Sequence, residues 1–129
     1  MMHTGREYAF IGDAVWGLKI KLRLVESNIN LGKDINIATA CYLSASAQAS
    51  LFQRLYKDHF FSEIEQTIYK KGRNIKVTKR NSHENITIYR CASGFEAIIG
   101  YLYMENQCER IDEIIDIMMQ ENKNESESI

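Results

Sequence analysis

Phe10-Ile11-Gly12-Asp13-Ala14-Val15-Trp16 is an apolar helical run with one carboxylate set into it. Aspartate and glutamate are seldom fully buried unless paired, so Asp13 requires a partner. A second run of the same kind, Gly94-Phe95-Glu96-Ala97-Ile98-Ile99-Gly100, carries Glu96 far down the chain. If folding brings the two acids within about 5–6 Å, they can share one hard cation such as magnesium, which prefers oxygen ligands and keeps several waters. A cation so held polarises a phosphoryl oxygen and activates water, as phosphodiester hydrolysis requires. Two plainer readings stand beside this one. Asp13 can form a salt bridge to an internal arginine such as Arg90, and Glu96 can be a surface residue of an amphipathic helix.

Working outward, apolar residues recur at Tyr8, Ile11, Val15, Leu18 and Leu22 and predict a helix from Glu7 to about Glu26, after frayed residues 1–6. Asp13 lies off that stripe, in line with Gly17 and Ile20, and a glycine one turn away leaves room for an approaching group. Ser27 to Gly32 reads as a connection. A second helical region starts near Asp34 and continues through residues 38–56, where Ala45, Ala47 and Ala49 predict close helix packing. Ser62 and Glu65 form a capping box for a further helix, which should end near Lys71 with Gly72 as its stop. A long irregular polar segment occupies residues 73–85. A helix resuming near Thr87 carries Glu96 through Met104. A last one places Ile111, Ile114, Ile115 and Met118 on one face. The result is an all-α domain over residues 7–119, followed by an acidic tail, residues 120–129, predicted to be disordered.

The chain has 129 residues, a normal globular balance of 45% apolar and 26% charged residues, and no proline. Its formal net charge of −1 excludes any global attraction to nucleic acid or membrane. No run approaches the roughly 18 apolar residues of a membrane span, and no basic-then-apolar leader precedes the first helix, so a cytoplasmic location is expected. Cys41, Cys91 and Cys108 fit neither a zinc spacing nor a disulfide framework. Cys41 and Cys108 are expected to be core thiols.

Charge is distributed unevenly. Residues 70–90 hold Lys70, Lys71, Arg73, Lys76, Lys79, Arg80 and Arg90 against the single acid Glu84. The segment is either a solvated loop or an arm that neutralises phosphates without reading sequence. Asn74, beside Arg73, adds a polar donor suited to a sugar-phosphate backbone. His59 and His83 lack ligand spacing and read as surface residues. Gln48 either supports the acids from behind or simply caps and packs. Tyr101 and Tyr103 read as packing residues.

The run from Phe10 to Val15 resembles the ribonuclease III signature, in which an aromatic-aliphatic-Gly-Asp-Ala-Val sequence carries a catalytic aspartate. Phe95-Glu96-Ala97-Ile98-Ile99-Gly100 is similar to that family's second motif, whose glutamate binds metal. Ser44-Ala45-Ser46-Ala47-Gln48-Ala49, Lys71-Gly72-Arg73-Asn74 and Tyr89-Arg90 resemble the small bacterial branch, Mini-ribonuclease III. The likeness spans residues 7–119 in order. Ala9 and Ser93 stand where full ribonuclease III has further acids. The small branch also has non-acids at both places, so Asp13 and Glu96 are the implied catalytic remainder. Ser46 stands where family members often have lysine, and Trp16-Gly17 where many have Tyr-Glu. The usual leader helix before the signature is nearly absent.

The resemblance implies an all-α endonuclease acting as a homodimer on double-stranded RNA, with Phe10 at the dimer interface. It implies Mg2+ at Asp13 and Glu96, and RNA gripped by Lys70, Lys71, Arg73, Asn74, Lys76, Lys79 and Arg80. The usual task of the branch is maturation of the large-subunit (23S) ribosomal RNA precursor, in which a large-subunit ribosomal protein is a candidate helper. The rival expectation is a non-catalytic scaffold dimer of the same fold that binds double-stranded RNA without cutting it.

Overall fold

A computed structural model describes residues 2–74 and 85–127, with side chains described through Asn122. All regular structure among the described residues is helical: α1 (Gly5–Glu26), α2 (Ile35–Leu43), α3 (Ala45–Lys57), α4 (Glu63–Arg73), α5 (Ile86–Met104) and α6 (Cys108–Glu127). Lys76, Lys79, Arg80 and His83 lie outside the described residues.

The centre of the molecule is α5, which packs against α1, α3, α4 and α6. Its sequence is apolar or small on nearly every side, and a helix of that composition is stable only when surrounded. From Cys91 to Leu102 only Glu96 and Tyr101 are not buried. Trp16 of α1 meets Phe95 edge to face at 4.9 Å, and its indole Nε1 donates to the Tyr42 carbonyl at 3.0 Å. One aromatic side chain thereby ties α1 to both α5 and the end of α2.

The crossing of α1 over α5 depends on two glycines. A Cβ at Gly12 would lie 1.6 Å from the Glu96 carbonyl oxygen, and one at Gly100 would lie 1.9 Å from the Tyr8 carbonyl oxygen. Only hydrogen at both positions lets the backbones come this close. The close approach sets Asp13, next after Gly12, beside Glu96.

Several boundaries differ from the sequence-based expectation, some for local reasons and some through contacts with other helices. Helix α1 starts at Gly5, not Glu7, because Thr4 and Glu7 form a reciprocal capping box. The region expected as one helix from 34 to 56 is two. Ser44 ends α2, and its hydroxyl accepts from the Ala47 N–H to begin α3. Gly72 does not stop α4. It lies inside the helix, where a Cβ would come 2.5 Å from the Ala97 Cβ of α5, and Asn74 is the C-cap. The α6 backbone stays helical to Glu127, past the start of the expected tail. Glu121 pairs there with Arg54, and Asn122 donates to the Cys41 sulfur. Cys41 is exposed rather than part of the core, and Cys108 is half-buried.

The capping box at Ser62 and Glu65 forms as expected, and Ile111, Ile114, Ile115 and Met118 are all buried. Glu65 has a second role. Only 3% exposed, it receives the Arg110 guanidinium in a forked pair, with both N–H···O distances 2.9 Å. Arg110 also donates to the Phe60 carbonyl at 2.7 Å and lies over the Phe60 ring. Burial alone would raise the Glu65 pKa. The Arg110 and Ser62 hydrogen bonds outweigh it and hold the carboxyl below its usual value.

Candidate metal and RNA-cleavage site

Asp13 and Glu96 meet. The two carboxyl groups share a hydrogen bond, although 83 positions separate them in the chain. They are not equivalent. Asp13 is solvent-exposed at the mouth of a cleft of about 460 Å³, and Glu96 is half-buried behind it. The premise that Asp13 itself is buried is therefore corrected. The apolar residues of α1 occupy two faces, and Asp13 lies between them in water.

The cleft is walled by Trp16, Leu43 and Gln48, with Gly17 and Lys21 along its α1 side. No atom lies within 4 Å of a Cβ built on Gly17, so the floor beside Asp13 is open. Lys21 follows Asp13 by two helical turns, about 12 Å along the axis, and puts a positive charge at the far end of the cleft.

Burial is the largest influence on Glu96, followed by the hydrogen bond and negative charge of Asp13. Together they push its pKa up to about 8, against an opposing hydrogen bond from Gln48. That shift favours the protonated form of Glu96 near neutral pH. Arg90 is exposed, and among the described residues no lysine or arginine forms an ion pair with either acid. The plainer reading of Asp13 as half of an internal salt bridge fails on this geometry.

The donor set fits a divalent cation. Two carboxyl groups in contact, Asp13 at the open cleft and Glu96 behind it, offer hard oxygen donors to one ion. No third His, Cys, Asp or Glu joins them among the described residues. Magnesium tolerates such a sparse set, because water and phosphate oxygens complete its octahedron.

Gln48 is the residue whose importance the sequence left open. It is 4% exposed, and its Nε2 donates to the Leu43 carbonyl at 3.4 Å as well as to Glu96. Its spacing carries no signal, since nothing in the 38–56 stretch announces the break at Ser44 that turns Gln48 toward α5.

The basic residues divide. Lys70, Lys71 and Arg73 are exposed on the last turn of α4, and Asn74 is exposed at its cap. Gly72 seats that turn against Ser93, Gly94 and Ala97, neighbours of Glu96 on α5. Arg73 lies over the Tyr69 ring, 5.7 Å from its centroid. The α1 stripe also divides. Leu18 and Leu22, expected to face the core, are exposed, while Gly12, Val15, Trp16, Ile20 and Leu24 turn inward. Phe10 is 78% exposed.

Comparison with known proteins agrees on one family. Residues 6–107 match the model of the ribonuclease III domain. Mini-ribonuclease 3 of Enterococcus faecalis is 36% identical over 113 residues, 88% of this chain and 86% of that protein. The Thermoanaerobacter protein of the same name is 37% identical over 112 residues, 87% of this chain and 78% of its own. A crystal structure of a Fusobacterium nucleatum protein superposes with a TM-score of 0.77 at 29% identity, covering 93% of this chain and 94% of that one.

Proposed function

The chain belongs to the ribonuclease III family, and from that premise we propose that Asp13 and Glu96 are the ligands through which it holds magnesium to hydrolyse RNA. It is an endoribonuclease of double-stranded RNA, and divalent-metal dependence comes with the family. The observation that carries the assignment of residues is the meeting of these two carboxyls at an open cleft.

A bound Mg2+ would polarise a phosphoryl oxygen and lower the pKa of a water. The chain's own residues do the rest. Asp13, at the mouth, meets the phosphate side of the site. Glu96, set deeper, would release its proton to solvent and offer a carboxylate oxygen to the cation. Gly17 leaves space for a backbone to lie along α1, and Lys21 attracts a phosphate further along the strand. Lys70, Lys71, Arg73 and Asn74 contact phosphates on the neighbouring surface, and Lys76, Lys79 and Arg80 extend that set in sequence. Contacts of this kind grip phosphate and carry no sequence information. That suits A-form RNA, which proteins recognise mainly by shape, phosphate and 2′-hydroxyl.

The substrate we assign is the large-subunit (23S) ribosomal RNA precursor in the cytoplasm, presented with the help of a large-subunit ribosomal protein. The names of the relatives support the branch from which this reading comes. We also assign a homodimer. Phe10, Leu18 and Val25, at 78%, 60% and 65% exposure, are large apolar side chains of α1 left in water, which a second copy would cover. Pairing across them puts two cleavage sites on one duplex. Phe10→Glu should convert the dimer to monomer in sedimentation velocity, because it places a charge in an apolar contact.

The test of the assigned residues is cleavage of a long RNA duplex by the purified protein in Mg2+. Asp13→Asn should abolish product while leaving the helical circular dichroism unchanged, since Asp13 is exposed and supports no packing. Undiminished cleavage by that variant removes Asp13 from the mechanism.

A further inference from the structure

We infer that Gln48 is a positioning residue, which fixes the Glu96 carboxylate in the orientation that captures the metal ion. The inference rests on the proposed role of Glu96 and extends it to a residue on a third helix.

Gln48 is an unusual polar residue for its surroundings. It is the fourth residue of α3, flanked by Ala47 and Ala49, and nearly all its surface is covered. A buried primary amide must satisfy two N–H donors. One is used by the Leu43 carbonyl, a group left without a helical partner where α2 ends. The other goes to Glu96. Held at Leu43, the amide stands in the cleft wall that it shares with Asp13, beside the Glu96 carboxyl.

The surrounding packing makes that placement reproducible. Ala49 is buried, and its carbonyl accepts from the Cys91 thiol of α5 at 3.7 Å, so α3 and α5 are held together one turn from the site. The Glu96 backbone is separately held by the close approach at Gly12. With the backbone fixed by α1 and the carboxyl oriented by α3, little of the Glu96 side chain is left free. Asp13 has no such support and stays exposed, so the fixed half of the pair is Glu96.

A neutral donor suits this task better than a cation. Lysine or arginine at position 48 would orient Glu96 but cancel the charge that attracts the metal. An amide orients it and leaves the charge in place. Outer partners of metal ligands commonly influence affinity by about 10- to 100-fold.

The experiment compares wild type with Gln48→Met, which keeps the length and bulk of the side chain and removes its donors. Mn2+ binding to the RNA-free protein, followed by electron paramagnetic resonance, should weaken about tenfold or more. The Mg2+ concentration for half-maximal cleavage should rise by a similar factor, with lost activity recovered as Mg2+ is raised. Duplex RNA affinity measured without metal should not move. Gln48→Leu provides a second apolar replacement if the methionine variant loses helical circular dichroism. A folded variant that binds Mn2+ within twofold of wild type overturns the inference, as does one whose cleavage defect is the same at every Mg2+ concentration. Failure of the nuclease reading itself is distinguishable, because wild type would then cut no duplex at any Mg2+ concentration.

Discussion

Glu96→Gln should cost at least about a thousandfold in cleavage and, in the same protein without metal, raise its stability at pH 8. The two effects share one cause. Glu96 titrates near 8 in the folded chain against 4.5 as the reference value. Between those pH values the folded state holds a proton that the unfolded state has released. Wild-type stability should therefore fall as pH rises from about 4.5 to 8 and level off above. Glutamine carries no charge, keeps the size of the side chain and removes that slope. The gain from the substitution should be close to zero at pH 5 and on the order of 2 kcal/mol at pH 8, with the partial exposure of the group allowed for. Chemical denaturation in a chelating buffer at both pH values measures it. A gain of the same size at pH 5 and pH 8 would show that neither burial nor Asp13 raises the Glu96 pKa. Active-site charge held against stability is a common arrangement in enzymes.

The second large effect belongs to Gly12. Alanine there would put a methyl carbon 1.6 Å from the Glu96 carbonyl oxygen and 2.9 Å from the Gly100 nitrogen. Both obstacles are backbone, so no side chain can swing aside. Helices α1 and α5 must separate, which loosens the contact of Trp16 with Phe95 and moves Asp13 from Glu96. A loss of about 3 kcal/mol or more is expected, read as a lower denaturant midpoint, together with loss of cleavage. Gly17→Ala is the control. It lies on the same helix with no atom within 4 Å of its Cβ, so it should leave stability unchanged or raise it by up to about 1 kcal/mol through helix propensity.

Much of the fold was legible in the sequence because local signals marked it. The capping box at Ser62 and the four apolar residues on one face of α6 are short-range patterns, and both appear where expected. What was not legible is long-range. The α1 stripe was misread at Leu18 and Leu22 because this helix is apolar on two faces, and periodicity cannot say which faces the core. Gly72 looked like a stop, but it is small for the sake of α5, a partner absent from its own segment. The break at Ser44 involves neither glycine nor proline, and the forked pair of Arg110 with Glu65 joins residues 45 apart.

The site shows the same division. Two acids in apolar runs were visible, and their likeness to known motifs brought them together on paper. Their unequal exposure was not visible, since it depends on how α1 rolls on α5. Nor was the contact of Gln48 with Glu96, which requires a third helix in register.

The indole of Trp16 has a use beyond packing. It is the sole tryptophan in the chain, hydrogen-bonded to Tyr42 and stacked edgewise on Phe95, the residue beside Glu96. Its ultraviolet emission therefore comes from one wall of the cleft and nowhere else. The protein carries its own optical gauge of that wall, readable in solution without a label.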